Sequence, residues 1–348
     1  MKIKFHILIF VILAGLTLNA CQTKKTTPEP NLFDSFVQDD YTTIQLTADW
    51  DQVIADEAET GKFAADIEWQ DVQGQSEKMQ IKLEPRGKTR LNYCAFPPLK
   101  LIFSKEDMEE RGLNGARKLK LVSHCNGDES LVLREYLAYK MYQELTEKSF
   151  LVQLVKITYT DSQGQQPDET HWGFILENHN DMAQRLNAKI MSSETTRLKN
   201  IDGAQYRSLA LFQYMIGNTD WNMNLHHNIK LIQEVGRPCP SPIPYDFDYS
   251  GLVNAPYAIP HPMLPVNDVQ DRYFQWRGKD VAAFEQTVQH FLESKSSLLD
   301  LTQNFTYLSA SERQEIIQYM EAFYQKIEGL DWNHNDLVSV LNDNIDLS

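Results

Sequence analysis

Two short stretches concentrate the side chains that could do chemistry. The first is Gly217-Asn218-Thr219-Asp220-Trp221-Asn222-Met223-Asn224-Leu225-His226-His227-Asn228, a polar loop between a helical pattern ending at Gly217 and an apolar run resuming after Asn228. The second, beginning about fifteen residues further on, is Ile243-Pro244-Tyr245-Asp246-Phe247-Asp248-Tyr249-Ser250-Gly251, a short apolar strand delivering two carboxylates at a turn. Together they offer a loop carboxylate, an amide at the start of a strand, and an acidic pair at the end of the next. Phosphoryl transfer uses such a set: a carboxylate orients the attacking hydroxyl, while an Asn and an Asp hold a divalent cation against the phosphates.

Each of these residues also has a plainer use. Asp246 and Asp248, beside Ser250 and Gly251, could bond nearby backbone amides as turn carboxylates. It is the company of Asp220 and Asn228 that sustains the chemical reading. Zinc catalysis is disfavoured: His226 and His227 are adjacent, neighbouring strand residues point to opposite faces, and no His-Glu-x-x-His occurs. A serine nucleophile has no Gly-x-Ser-x-Gly elbow to sit on.

The elements that must position these residues fall into two kinds. Over 42–123 apolar residues recur near period two, as in Met79, Ile81 and Leu83 or Leu99, Leu101 and Phe103, which predicts an antiparallel sheet. Asp128 and Ser130 then introduce a helix carrying Leu131, Leu133, Leu137, Met141 and Leu145, followed by strands at 151–158 and 172–176. Beyond this, helices are predicted at 203–216, 281–292, 310–324 and 335–341, with short strands at 228–232 and 243–245. The layout is α+β in two lobes, a sheet-rich one over 33–178 and a helix-rich one over 179–348.

The N-terminus sets the compartment. Lys2 and Lys4 precede an apolar run over 5–18 and then Leu18-Asn19-Ala20-Cys21. That run spans roughly 21 Å as a helix, short of the roughly 30 Å of a bilayer core. It therefore reads as a signal peptide over 1–20. The last four residues resemble the bacterial lipobox, whose cysteine is acylated; 21–32 would then be a lipidated Cys21 and a flexible tether. The expected location is the cell envelope, periplasmic or at the cell surface, with the lipid as membrane partner. The formal charge of −15 becomes −17 once Lys2 and Lys4 leave with the leader, which argues against nucleic-acid binding. In an oxidising compartment two of Cys94, Cys125 and Cys239 can pair. Cys94 and Cys125 flank neighbouring strands and are the candidate disulfide.

The order of blocks along 81–257 resembles the CotH-like atypical protein kinases. It rests on Arg86-Gly87, on Pro98-Leu99-Lys100-Leu101-Ile102-Phe103, and on Lys118-Leu119-Lys120-Leu121-Val122-Ser123 leading into Leu133-Arg134-Glu135-Tyr136. It continues through Trp172-Gly173-Phe174-Ile175-Leu176-Glu177, Asn218-Thr219-Asp220, Asn228 and Pro244-Tyr245-Asp246-Phe247-Asp248. The resemblance implies a two-lobed kinase-like fold. It implies Asp220 as the catalytic-loop base or hydroxyl orienter, with Asn228 and Asp246 as metal ligands and Asp248 beside them. It also implies a phosphate lysine, either Lys100 or Lys120, paired with Glu135, and Arg86 over the phosphates. The cofactor would be Mg²⁺ or Mn²⁺ with ATP or another nucleotide, and the acceptor a protein or glycan hydroxyl. The glycine-rich loop and the His-Arg-Asp triplet of ordinary kinases are absent, and Asp220 stands eight residues before Asn228 rather than five. The alternative is a catalytically inactive envelope lipoprotein that binds a glycan or a partner protein. A lysine facing the cleft favours the enzyme; a cleft filled by the loop 253–268 favours the binder.

Overall fold

In the first half, runs with an apolar residue at every second position become strands. They are β1 (Tyr41–Ala48), β2 (Phe63–Gln70), β3 (Ser76–Pro85), β4 (Leu99–Phe103), β5 (Lys118–Val122), β6 (Val152–Asp161) and β7 (Glu169–Leu176). Helices α1 (Trp50–Ile54), α2 (Lys88–Tyr93), α3 (Lys105–Glu110) and α4 (Ser130–Leu145) connect them. The computed structural model describes residues 30–56, 61–191, 200–277, 280–330 and 337–342. The leader, Cys21 and the tether as far as residue 29 lie outside these. Among the described residues no helix is long and apolar enough to cross a membrane.

The expected antiparallel sheet is corrected in one respect. The strands close into a barrel of order β1-β2-β3-β4-β5-β7-β6. The closing pair, β1 with β6, is parallel, from Tyr41 opposite Leu154 to Ala48 opposite Asp161. Period-two alternation marks which face of a strand is buried; it carries no information on whether the first strand meets the last. Inside, Ile44, Leu46, Ile67, Leu83, Leu101 and Leu119 form a dry core, which Phe36 enters by stacking on Trp69 at 4.6 Å.

α4 follows β5 and is buried on nearly every side, so its apolar residues surround Glu135, its one fully buried charge. The second half contains α5 (His179–Arg185), β8 (Ala188–Ile190), α6 (Gly203–Met215), β9 (Ile229–Glu234), β10 (Ser241–Pro244), α7 (Val281–Glu293), α8 (Lys295–Asn304), α9 (Ala310–Glu328) and α10 (Leu337–Asn342). Tyr142, Leu209, Phe212, Phe247, Phe291 and Met320 join these helices and the outer face of β6 and β7 in one core. α8 is not among the predicted helices. It buries only Leu298 and Thr302, so its sequence carries little apolar periodicity. β10, β9 and β8 form a small antiparallel sheet.

Cys94, at the end of α2, and Cys125, just after β5, are joined in a disulfide with Cα atoms 4.9 Å apart, and Cys239 is free. The bridge packs with Leu131, Val253, Ala255 and Tyr257, tying the barrel to the helical half. It links residues 31 apart in sequence. Loop-closure entropy for that span is worth about 3–4 kcal/mol. The double replacement Cys94→Ser with Cys125→Ser should lower the unfolding free energy by about that amount in a denaturant titration. An unchanged midpoint and slope would show that the bridge constrains nothing.

Candidate active site

The small sheet places the two stretches of interest side by side. Its register sets Ile229 opposite Pro244, and the Tyr245 N–H donates to the Asn228 carbonyl at 3.1 Å. Asn228, at the mouth of β9, and Asp246, just beyond β10, are therefore neighbours. Both have left-handed backbones, φ 53° and 67°. Asn and Asp tolerate that conformation best among non-glycine residues, and such strain concentrates at functional sites. The Asp246 N–H donates to the Tyr139 hydroxyl (2.8 Å), which fastens the turn to α4.

Asp220 is brought to the same place by its own loop. Gly217 ends α6 with φ 65°, where a Cβ would lie 2.0 Å from the Tyr319 hydroxyl, so a side chain is excluded on both counts. Asn218 Oδ1 accepts the Asp220 N–H at 2.9 Å. Asn222 and His227 exchange two backbone hydrogen bonds, of 3.1 and 3.0 Å, and fold the intervening residues outward. That bulge absorbs the extra residues between Asp220 and Asn228. The Asn228 amide then donates to the Asp220 carbonyl (2.8 Å) and to its Oδ2 (2.9 Å), and His227 Nε2 lies 2.9 Å from Oδ1.

These groups line one cleft of about 420 Å³. Asp220, Asn228, Asp246, Asp248 and Glu135 line it together with Arg86 and Arg90, and Thr89, Val122, His227 and Tyr249 are also in its wall. None of the residues 253–268 lines it. Negative charge is in excess. Desolvation first, and then the neighbouring Asp246 carboxylate, pushes Asp248 up to about 7, although the Tyr257 hydroxyl donates to it at 3.1 Å. Burial, then Asp248 and Asp246, push the Glu135 carboxyl well above the usual range. A larger hollow of about 700 Å³ lies elsewhere on the barrel, against Asp66, Lys82, Asp107 and Arg117, and shares no residue with the cleft.

The lysine expectations are corrected. Glu135 is partnered by Arg90, whose Nη1 lies 3.8 Å from Oε2 and whose Nη2 donates to the Ser123 carbonyl at 2.5 Å. Lys100 is paired with Glu84, which stands opposite it in register on β3. Lys120 occupies a separate, narrower cavity with Lys230 and Tyr245. Val122, two residues along the same face of β5, lines the cleft instead. The sequence reading does not single out Arg90 or Lys230, and it weighs His227 only as a metal ligand. The signal for Arg90 was the basic run Arg86-Gly87-Lys88-Thr89-Arg90.

Among the described residues no group of three or more His, Cys, Asp or Glu is placed to hold a metal ion. Asp246, Asp248 and the side-chain oxygen of Asn228, whose nitrogen is engaged by Asp220, are hard oxygen donors of the kind Mg²⁺ and Mn²⁺ prefer. Mg²⁺ is commonly held by one or two carboxylates plus substrate phosphates rather than by an all-protein cage. The residues fit a cation that arrives with a phosphorylated ligand, and its charge would relieve the crowding that raises Asp248.

No family model and no curated protein matches the chain. Among solved structures, a Helicobacter pylori proinflammatory kinase, CtkA, is similar at a TM-score of 0.39 and 9% identity, over 66% of this chain and 91% of that one. The chain is a mixed α and β protein with a sheet-rich N-terminal part, a helical C-terminal part, and an acidic cleft that two arginines also line.

Proposed function

We propose that this chain is a lipid-anchored, extracytoplasmic phosphotransferase of CotH-like kind. It would move a phosphoryl group from a cation-bound nucleotide or similar donor to a protein or glycan hydroxyl. The observation that carries this reading is the meeting of Asp220, Asn228 and Asp246 in one cleft that Arg86 and Arg90 also line. The leader and Cys21 supply the compartment.

The chain's own residues divide the work. Asp220, 31% exposed, can reach an acceptor hydroxyl and take its proton as the hydroxyl oxygen bonds to phosphorus. The bond from phosphorus to the leaving phosphate oxygen breaks in the same displacement. Asn228 holds the Asp220 carboxylate in place, and Arg86 and Arg90 offset charge on the transferred group. Mg²⁺ or Mn²⁺, when bound with the donor, would neutralise charge across adjacent phosphate oxygens. A second reading, the inactive envelope binder, is favoured by one observation: both Asp220 oxygens already have partners within the protein.

Thermal melting of the soluble body, from about residue 31, tests binding. With Mn²⁺ and ATP at about 100 times the dissociation constant, the folded state should gain roughly 2.7 kcal/mol. A melt that stays put across several nucleotides and both metals would overturn the proposal.

A further inference from the structure

Beside the acidic cleft, the outer face of α2 opens into a second hollow of about 350 Å³, lined by Thr89, Asn92, Tyr93 and Tyr257. Thr89, Asn92 and Tyr93 stand at i, i+3 and i+4, one face of the helix, while Arg90 turns inward to Glu135. Thr89 lines the cleft as well, so the two spaces adjoin at α2. Three tyrosine rings connect them. Tyr249, in the cleft wall, has its ring centre 5.9 Å from that of Tyr257, and Tyr257 lies 5.3 Å from Tyr93. Tyr257 is buried with its hydroxyl committed to Asp248, whereas Tyr93, at the outer end, is 45% exposed.

The exposed ring is nonetheless anchored. α2 ends at the disulfide of Cys94, and the Asn126 side chain both donates to the Tyr93 carbonyl at 3.2 Å and accepts the Ala95 N–H at 2.5 Å. A ring fixed in advance loses little freedom when a ligand covers it. The four lining residues bring hydroxyls, an amide and two aromatic rings, and no charge. Phosphates therefore find no counter-charge on them. The Tyr93 and Tyr257 rings are inclined at 59°, which leaves no parallel slot for a planar base. An extended peptide docks by pairing with a strand edge, and the wall here is a helix whose backbone bonds run within itself. A pyranose ring matches what remains. When its hydroxyls are equatorial, its face is made of C–H groups that lie on an aromatic ring, and its rim offers hydroxyls to Asn92 and Thr89. The volume falls in the roughly 300–1,000 Å³ range of small-molecule sites.

We infer that Thr89, Asn92, Tyr93 and Tyr257 form the acceptor subsite for an uncharged, β-linked glycan, with one sugar ring on Tyr93 and a hydroxyl reaching past Thr89 toward Asp220. The role of acceptor rests on the phosphoryl-transfer reading; the binding of sugar does not. In transfer, the sugar oxygen bonds to phosphorus, the bond from phosphorus to the leaving phosphate of the donor nucleotide breaks, and the hydroxyl proton passes to Asp220.

The test is calorimetric titration of the soluble body with cellotriose and with chitotriose, followed by transfer assays with Mn²⁺ and ATP. One or both sugars should bind, and adenosine should not displace them. Tyr93→Ala should weaken binding by about tenfold and Tyr93→Trp should restore it, since the platform is the ring. Asn92→Ala should weaken it about threefold to tenfold, the loss of one hydrogen bond. Both alanine variants should melt with the wild type, because both side chains are exposed; if Tyr93→Ala melts early, Asn92→Ala decides. Absence of binding by either sugar, or affinity indifferent to these changes, overturns the subsite. Displacement by adenosine would make it a base pocket and overturn the glycan assignment. Sugar binding that depends on Tyr93, with no phosphate transferred to any acceptor, would leave a glycan site and remove the transfer reading. Transfer to a serine peptide that ignores Tyr93→Ala would keep the transfer reading and overturn the acceptor subsite.

Discussion

Asp220→Asn should lower phosphate transfer by about 10²–10⁴-fold, the usual contribution of a positioned general base, while the protein folds and binds its donor as before. The expectation of normal folding follows from the contacts. The Asp220 side chain is 31% exposed and hydrogen-bonds through Oδ2 to the Asn228 amide, a bond that the oxygen of asparagine can still accept. What asparagine cannot do is take a proton. Initial rates over a range of donor concentrations should therefore show a fall in kcat with little change in KM for the donor, since Asp220 is assigned to the acceptor side. A variant that transfers at the wild-type rate would dismiss Asp220 as the base. A variant that loses donor binding and melts early would show instead that the carboxylate holds the loop together.

That the loop, β9 and the turn after β10 meet was legible because each segment is short and bounded by its own signals. Gly217 ends a helix, Asn228 opens an apolar run, and Asp246 closes one. Two antiparallel strands with a short connection are neighbours by default, so their adjoining ends had to come together. The wide spacing from Asp220 to Asn228 was a departure in the sequence and becomes an outward bulge in the fold, stitched by Asn222 and His227. No local pattern encodes that stitching.

The N-terminal side of the cleft was less legible for a related reason. Lys100 and Lys120 both alternate with buried leucines, and alternation states only that they share the opposite face. Which of them meets the cleft depends on barrel closure and on what stands across the register. Glu84 stands opposite Lys100, and Lys230 and Tyr245 meet Lys120. The identity of the partner to Glu135 was set further away still. α2 begins after Gly87 with φ 93° and ends at the disulfide to Cys125, so the orientation of Arg90 is fixed by a turn and a cross-link. α8 was missed because it buries too little for a periodic signature.

The fixed position of Arg90 leads to a large expected effect on stability. Arg90→Met should lower the unfolding free energy by about 3–5 kcal/mol, the cost of breaking a buried pair and leaving one partner behind. Both residues are nearly inaccessible, Arg90 at 6% and Glu135 at 3%. The guanidinium also satisfies the Ser123 carbonyl, so its loss strands a second buried group. The Glu135 carboxyl is already held well above its usual range by burial and by Asp248 and Asp246, and Arg90 acts against all three. Combining Arg90→Met with Glu135→Gln removes the stranded acid, and the double variant should recover part of the loss in a denaturant titration. If the double variant is no more stable than Arg90→Met, the two residues are not coupled, and the arginine acts through Ser123 alone. If Arg90→Met itself costs under about 1 kcal/mol, in the range of an exposed ion pair, Glu135 is not relying on this cation and the charge balance drawn for the cleft is wrong.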